Sequence, residues 1–198
     1  AERFKNGKYC GSPLRKELFN GRRTEAIKKY GLAAGKKTVL VFGGGSGSRA
    51  INDGLRKYVS ALSRKYNVLH LCGKGNVVES NIPCYVQKEF EPDMGAAYAA
   101  ADLVVSRAGS NAIFEILALK KPSLLIPLEG QSRGDQAENA AYFQKRHLCR
   151  VLKQADMDFL PEAIEDALAD EELLSALAVS DFAGGNSNIL HELHRFLV

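Results

Sequence analysis

Apolar residues cluster in six short runs: Thr38–Phe42, Val68–Cys72, Tyr85–Phe90, Leu103–Ser106, Ser123–Pro127 and Arg150–Leu152. Most are continuous rather than alternating, the pattern of strands covered on both faces. Between them the period changes to that of a helix. Arg49–Tyr66 carries Ile51, Leu55, Tyr58, Val59 and Leu62 at helical spacing, and Asp93–Ala101, Ser110–Leu119 and Glu138–Arg146 also read as helices. Strand alternating with helix predicts an α/β fold, a Rossmann-like doubly wound parallel sheet of about six strands. Phe159–Leu168, Glu171–Leu177 and Asn188–Leu197 are read as helices that follow it.

The segment before Thr38 differs. Gly11-Ser12-Pro13 reads as a turn, Glu17–Tyr30 as a polar surface helix ending at Gly31, and Gly35-Lys36-Lys37 as a loop. The expected organisation is a connector with a surface helix over residues 1–37 and one domain over 38–198. No internal repeat or low-complexity stretch interrupts it.

Composition narrows the class. The 198 residues are 45% hydrophobic and 25% charged, which excludes a disordered tail, a collagen-like fibre and a coiled coil. Against 27 Lys and Arg stand 23 Asp and Glu, a net charge of +4. That suits an anionic ligand or a membrane surface. The basic residues form no run of five, so nucleic acid is not an expected partner. The four cysteines form no C-x-x-C pair, which argues against a zinc ribbon or a thioredoxin motif. Cys72 and Cys149 lie in apolar runs and read as reduced, buried thiols, so a cytoplasmic location is expected. No apolar stretch approaches ~18 residues, and no signal peptide is recognisable. The chain starts with Ala1 rather than Met, as a fragment of something longer would.

Ligands of open α/β sheets bind at the carboxyl ends of the strands. Three loops there carry candidate chemistry. Gly43-Gly44-Gly45-Ser46-Gly47-Ser48 follows the first strand and opens a helix. Glycine lets the main chain approach a phosphate, and the helix N-terminus favours its charge; the alternative is a tight turn with no ligand. The second strand ends in Cys72-Gly73-Lys74, with no acidic residue for an NAD ribose, and no Gly-Lys-Ser/Thr completes a P-loop. Ser106-Arg107-Ala108-Gly109-Ser110-Asn111 follows the fourth strand. Ser110 or Asn111 could cap the next helix, Arg107 could be an ion-pair residue or a ligand clamp, and Glu115 could hold a ribose diol or be a solvated helix residue. Residues 127–136 form a long polar loop in which Gln136, with Asn139 beyond it, could read sugar hydroxyls while Asp135 could cap a helix.

Other signals are discounted. Asp156-Met157-Asp158 has a D-x-D form that could bind a metal, but Asp158 reads as an N-cap, and no metal or other cofactor is expected. His191 and His194 lack a third ligand. His70 reads as a packed strand residue and His147 as a helix-end residue.

Six motifs, in order, resemble one family. Gly11 to Arg15 resembles a G-N-P-V-R connector. Gly43 to Arg49 with Asn52 resembles G-G-S-Q-G-A-R-x-x-N. Gly73-Lys74-Gly75 resembles T/S-G-K-G, and Phe90 to Tyr98 resembles F-I-D-D-M-A-A-A-Y. Ala101 to Gly109 resembles A-D-L-V-I-x-R-A-G, with Glu115 in the matching place. Asp135-Gln136 with Asn139 resembles (D/Q)-Q-x-x-N. The family is MurG, the N-acetylglucosaminyltransferases that complete lipid II of bacterial peptidoglycan, and the match runs from about Tyr9 to Leu152.

The resemblance implies the C-terminal, donor-binding half of a GT-B glycosyltransferase, with UDP-N-acetylglucosamine as donor and no metal. It implies that the lipid-linked acceptor, the general base and a peripheral contact with the inner face of the cell membrane belong to the other half. Carried over, Arg15 pairs with the diphosphate and Gly44, Gly45, Ser46 and Gly47 meet the phosphates. Phe90 and Glu91 lie by the uracil, Ser110, Asn111 and Ala112 border the pocket, Glu115 holds the ribose, and Gln136 with Asp135 reads the sugar. This chain departs from the pattern at Gly45-Ser46 for Ser-Gln, at Asn111-Ala112 for Leu-Thr, and at Glu91-Pro92 for Ile-Asp. Two rival readings stay open: another GT-B enzyme, such as a sugar-nucleotide epimerase or a different UDP-sugar transferase, or a sugar-nucleotide-binding subunit that needs a membrane partner.

Overall fold

In a computed structural model the described residues are 8, 10–128, 135–182 and 184–197. The core is a six-stranded, all-parallel sheet in the order β3-β2-β1-β4-β5-β6. The strands are β1 (Thr38–Phe42), β2 (Asn67–Leu71), β3 (Tyr85–Lys88), β4 (Leu103–Ser106), β5 (Ser123–Leu125) and β6 (Arg150–Val151). This is the expected doubly wound sheet. Its order reverses between β1 and β4, and the crevice at such a switch point is where these sheets bind ligands.

Successive side chains of each strand enter different cores. Val39 and Val41 of β1 pack with Val105 of β4 under α2 (Arg49–Lys65) and α6 (Leu160–Ala169), through Ile51, Leu55, Leu160 and Ile164. Leu40, Phe42 and Val104 face the other side. There they meet α1 (Arg23–Lys29), α3 (Met94–Ala100), α4 (Ser110–Ala118), α5 (Asp135–Gln144) and α7 (Glu171–Val179), through residues such as Ala26, Ala97, Ile113, Phe143 and Leu173. Two apolar faces explain why β1, β2 and β4 carry no polar alternation. The last helix, α8, spans Asn186–Leu197.

Three local expectations are corrected. The helix expected over Glu17–Tyr30 is broken into a 3-10 turn, Lys16–Asn20, and α1. Gly21 at the break lies against α3, where a Cβ would stand 2.1 Å from the Gly95 carbonyl oxygen. Nor is the segment only surface, because Leu18, Ala26 and Tyr30 are buried in the core. Neither Ser110 nor Asn111 caps α4: Gly109 holds the N-cap position without a side-chain bond, and Ser110 is already helical. Asp158 does not cap α6, which starts after Phe159. Its carboxylate accepts instead from Tyr58 Oη at 2.9 Å and Lys57 Nζ at 3.3 Å.

Two clasps tie this first segment down. The Asn186 side chain at the start of α8 bonds both main-chain groups of Leu14, accepting its N–H at 2.8 Å and donating to its carbonyl at 2.7 Å. Gly185 N–H donates to the Ser12 carbonyl at 2.7 Å. Arg15 follows directly, so its position is set from a residue far along the chain.

Candidate active site

A cleft of about 830 Å³ opens at the carboxyl ends of the strands, within the size range of small-molecule sites. Its floor is the glycine turn. Gly47 N–H donates to the Gly44 carbonyl at 3.0 Å, closing the turn, and both glycines have positive φ, +93° at Gly44 and +78° at Gly47. Gly47 is required twice over, since a Cβ there would stand 2.1 Å from the Cys72 carbonyl oxygen. Ser48 then caps the 17-residue α2, its Oγ accepting from Ile51 N–H at 3.4 Å. The partial positive charge of a long helix is thereby aimed at the turn.

Beneath the turn lies Arg107, only 9% exposed. It donates to Ser48 Oγ at 2.7 Å, Gln154 Oε1 at 2.6 Å, and the Ile126 and Pro127 carbonyls at 3.1 and 3.3 Å. All four partners are neutral. Burial lowers its pKa from the ordinary guanidinium value, yet arginine remains a cation in proteins. It contributes a buried positive charge beside the turn, and among the described residues no carboxylate is one of its hydrogen-bond partners.

A buried polar chain supports the turn from behind. Asn52 Nδ2 donates to the Cys72 carbonyl at 2.9 Å, so its Oδ1 is free to accept from His70 Nε2, also at 2.9 Å. His70 Nδ1 then accepts from Tyr85 Oη at 2.9 Å. Burial first, and the Arg56 charge second, pull His70 down to about 4. It is a neutral, packed residue, as read from its place in the strand.

The other end of the cleft is built by side chains. Glu115 on α4 accepts from Arg15 Nη2 at 3.4 Å and from Tyr98 Oη at 3.0 Å. Burial pushes the Tyr98 hydroxyl far above its ordinary pKa, with the adjacent Glu115 charge adding to this, so it stays a donor. Gln136 lines the cleft, and its Oε1 accepts from Leu128 N–H at 3.0 Å. Asn139 does not line the cleft; its Nδ2 donates to the Ala108 carbonyl at 3.3 Å.

The rim beyond β3 carries Phe90, 65% exposed. Next to it Glu91 is 2% exposed. Its carboxylate accepts from Lys88 Nζ at 2.6 Å, Lys29 Nζ at 3.2 Å and Asp93 N–H at 3.0 Å. Burial alone would raise its pKa, but these bonds outweigh it and hold the group below the usual carboxylate value.

Of the residues singled out from sequence, Arg15, Gly44, Gly45, Gly47, Phe90, Glu91, Ser110, Asn111, Ala112, Glu115 and Gln136 all line this one cleft. Ser46 and Asp135 are not among its lining residues. The Ser46 carbonyl lies against Gly73, where a Cβ would come within 2.5 Å of it. Asp135 is exposed at the start of α5. Residues 129–134 of the polar loop lie outside the described residues. Sequence reasoning missed Tyr98, Ser48, Gln154 and Asn186. The first two were present inside the matched motifs, whereas the last two come from helices that no motif covers.

The description "Glycosyltransferase family 28 C-terminal domain" matches residues 38–182. A UDP-N-acetylglucosamine--N-acetylmuramyl-(pentapeptide) pyrophosphoryl-undecaprenol N-acetylglucosamine transferase of Clostridium perfringens is 39% identical over 191 residues, covering 93% of this chain and 54% of that protein. A protein of the same name from Oceanobacillus iheyensis is 45% identical over 152 residues, covering 75% of this chain and 43% of that one. The crystal structure of Acinetobacter baumannii MurG superimposes with a TM-score of 0.68 at 20% identity, covering 91% of this chain and 55% of that chain. The chain thus spans about half the length of the curated relatives it matches.

Proposed function

Because the chain belongs to glycosyltransferase family 28, whose C-terminal domain it carries, we propose that it is the donor-binding half of an inverting hexosyltransferase. The enzyme moves N-acetylglucosamine from UDP-N-acetylglucosamine to a lipid-linked muramyl acceptor, the step from lipid I to lipid II. One observation carries the reading: a glycine turn at a helix N-terminus and a carboxylate paired with an arginine converge in one cleft at the sheet's switch point.

Each part has a chemical task. Amide groups of the Gly44–Gly47 turn and the α2 N-terminus bind the diphosphate. Glu115 accepts two hydrogen bonds from the ribose diol. Gln136 donates to a sugar hydroxyl. Phe90 and the main chain of Glu91 face the uracil. When the muramyl hydroxyl attacks the anomeric carbon, the bond to the departing UDP breaks and negative charge grows on its phosphate. Arg15 swings from Glu115 to that phosphate, and Arg107 adds its buried charge from below. Residues 1–37 connect this domain to a half that supplies the acceptor, the general base and the membrane contact, on the cytoplasmic face. Among the described residues no helix is long and apolar enough to cross a membrane.

Calorimetric titration with UDP-N-acetylglucosamine, UDP and NADH tests the proposal. Binding of both uridine ligands and not of NADH supports it; binding of NADH alone, or of none of the three, overturns it.

A further inference from the structure

Glu91 stands where the resembled family has isoleucine, and its side chain is the most elaborately held carboxylate of the cleft. It is buried to 1% of its side-chain surface between two ammonium groups. Those lysines are fixed in turn. Both lie over the Tyr30 ring, at 5.3 and 5.4 Å from its centroid, and Lys29 also pairs with Asp93 at 2.9 Å. Asp93 caps α3 by accepting from Ala96 N–H at 3.0 Å. Such a cluster is costly to desolvate and reads as a device for fixing geometry rather than for adding stability.

What it fixes is a peptide strip. On one side the main chain of β3 and its extension is used up: the Lys88 carbonyl accepts from Cys72 N–H at 2.8 Å and the Glu89 carbonyl from Gly73 N–H at 3.1 Å. Beyond that point, among the described residues, nothing hydrogen-bonds to the main chain of Phe90 or Glu91. Both residues line the cleft, and the Glu91 carboxylate is turned away from it into the lysine cluster.

We propose that Glu91, held by Lys88 and Lys29, is a positioning residue that sets the donor's base specificity by locking the 90–91 main chain against the nucleobase; this rests on the reading of the cleft as a nucleoside diphosphate-sugar site. Uracil presents a carbonyl acceptor beside an N–H donor. Cytosine presents an amino donor beside a ring-nitrogen acceptor at the same places. A strip of alternating N–H and C=O groups accepts one pattern and opposes the other only while it cannot slide. Lys29 lies on α1, so the base end of the cleft is also fastened to the segment that carries Arg15.

The test is titration of the chain and its Glu91→Gln variant with UDP, CDP and inorganic pyrophosphate. The variant keeps the shape and loses the charge that holds the lysines. The UDP-over-CDP affinity ratio is expected to fall about tenfold, with pyrophosphate affinity unchanged. Lys29→Met, at a half-exposed position, is expected to lower the ratio about threefold and serves if Glu91→Gln does not fold. An unchanged ratio in the variant that folds, or an equal loss for all three ligands, overturns the inference and leaves the donor-site reading intact. A parent chain that binds neither nucleotide overturns both.

Discussion

The two ends of the cleft are built on different plans. The end proposed to take the phosphates is main chain: the turn at Gly44–Gly47, the start of α2, and a buried support of Asn52, His70 and Arg107 behind it. Its residues are close in sequence or on neighbouring strands. The end proposed to take the ribose is side chain, and Arg15, Tyr98, Glu115 and Gln136 come from four separate segments. The first is specified by local conformation and tolerates little change. The second is specified by long-range packing, and each of its groups can be removed singly.

Breaking the phosphate end is expected to have the largest effect. Gly47→Val places a branched side chain at φ +78° against the Cys72 carbonyl. Loss of measurable UDP binding is expected, with a fall in stability of at least about 2 kcal/mol in denaturant unfolding. Retained binding would show that the turn is not the phosphate floor.

The same end is expected to be acid-sensitive. His70 sits at about 4 in the fold against an ordinary 6.5. Between those values the unfolded chain binds the extra proton and the folded chain does not. Its contribution is therefore complete above about pH 6.5 and lost as pH falls toward 4, on the order of 3 kcal/mol in all. Unfolding midpoints of the parent should fall across this window more steeply than those of His70→Phe. Parallel pH profiles would contradict this.

At the ribose end the expected effects are smaller. Glu115→Ala removes a charged acceptor and should weaken UDP binding by about 1.5–3 kcal/mol, read by calorimetry, while leaving pyrophosphate binding in place. Smallest is Asn186→Ala, which frees Leu14 and with it Arg15. About 1 kcal/mol of UDP affinity should be lost, although Asn186 does not line the cleft. An effect as large as that of Glu115→Ala would mean that Arg15 cannot be positioned without this clasp.

Legibility followed the same division. The strands and the glycine turn could be read because their signals are local: a continuous apolar run, or a glycine cluster between strand and helix. β1 and β4 fall where the runs end. β3 stops at Lys88, two residues short of Phe90, because the main chain there leaves the ladder for the cleft rim. Gln154, which holds Arg107, and Asn186, which holds Leu14, were not legible, since only the assembled fold brings them within reach. Glu91 was read as a neighbour of the base, but its engagement by Lys29 depends on α1 packing against α3. The break at Gly21 was hidden for the same reason: helical periodicity says nothing of a backbone that must approach Gly95.

The Leu14–Asn186 clasp has a kinetic meaning as well. It closes a circuit of some 170 residues through two hydrogen bonds. Loop-closure entropy disfavours so distant a meeting until the intervening chain is already compact. During refolding the sheet should therefore form first and the clasp last. A chain that has regained its far-ultraviolet dichroism would still lack an anchored Arg15. Competence to bind nucleotide would then lag behind the recovery of secondary structure.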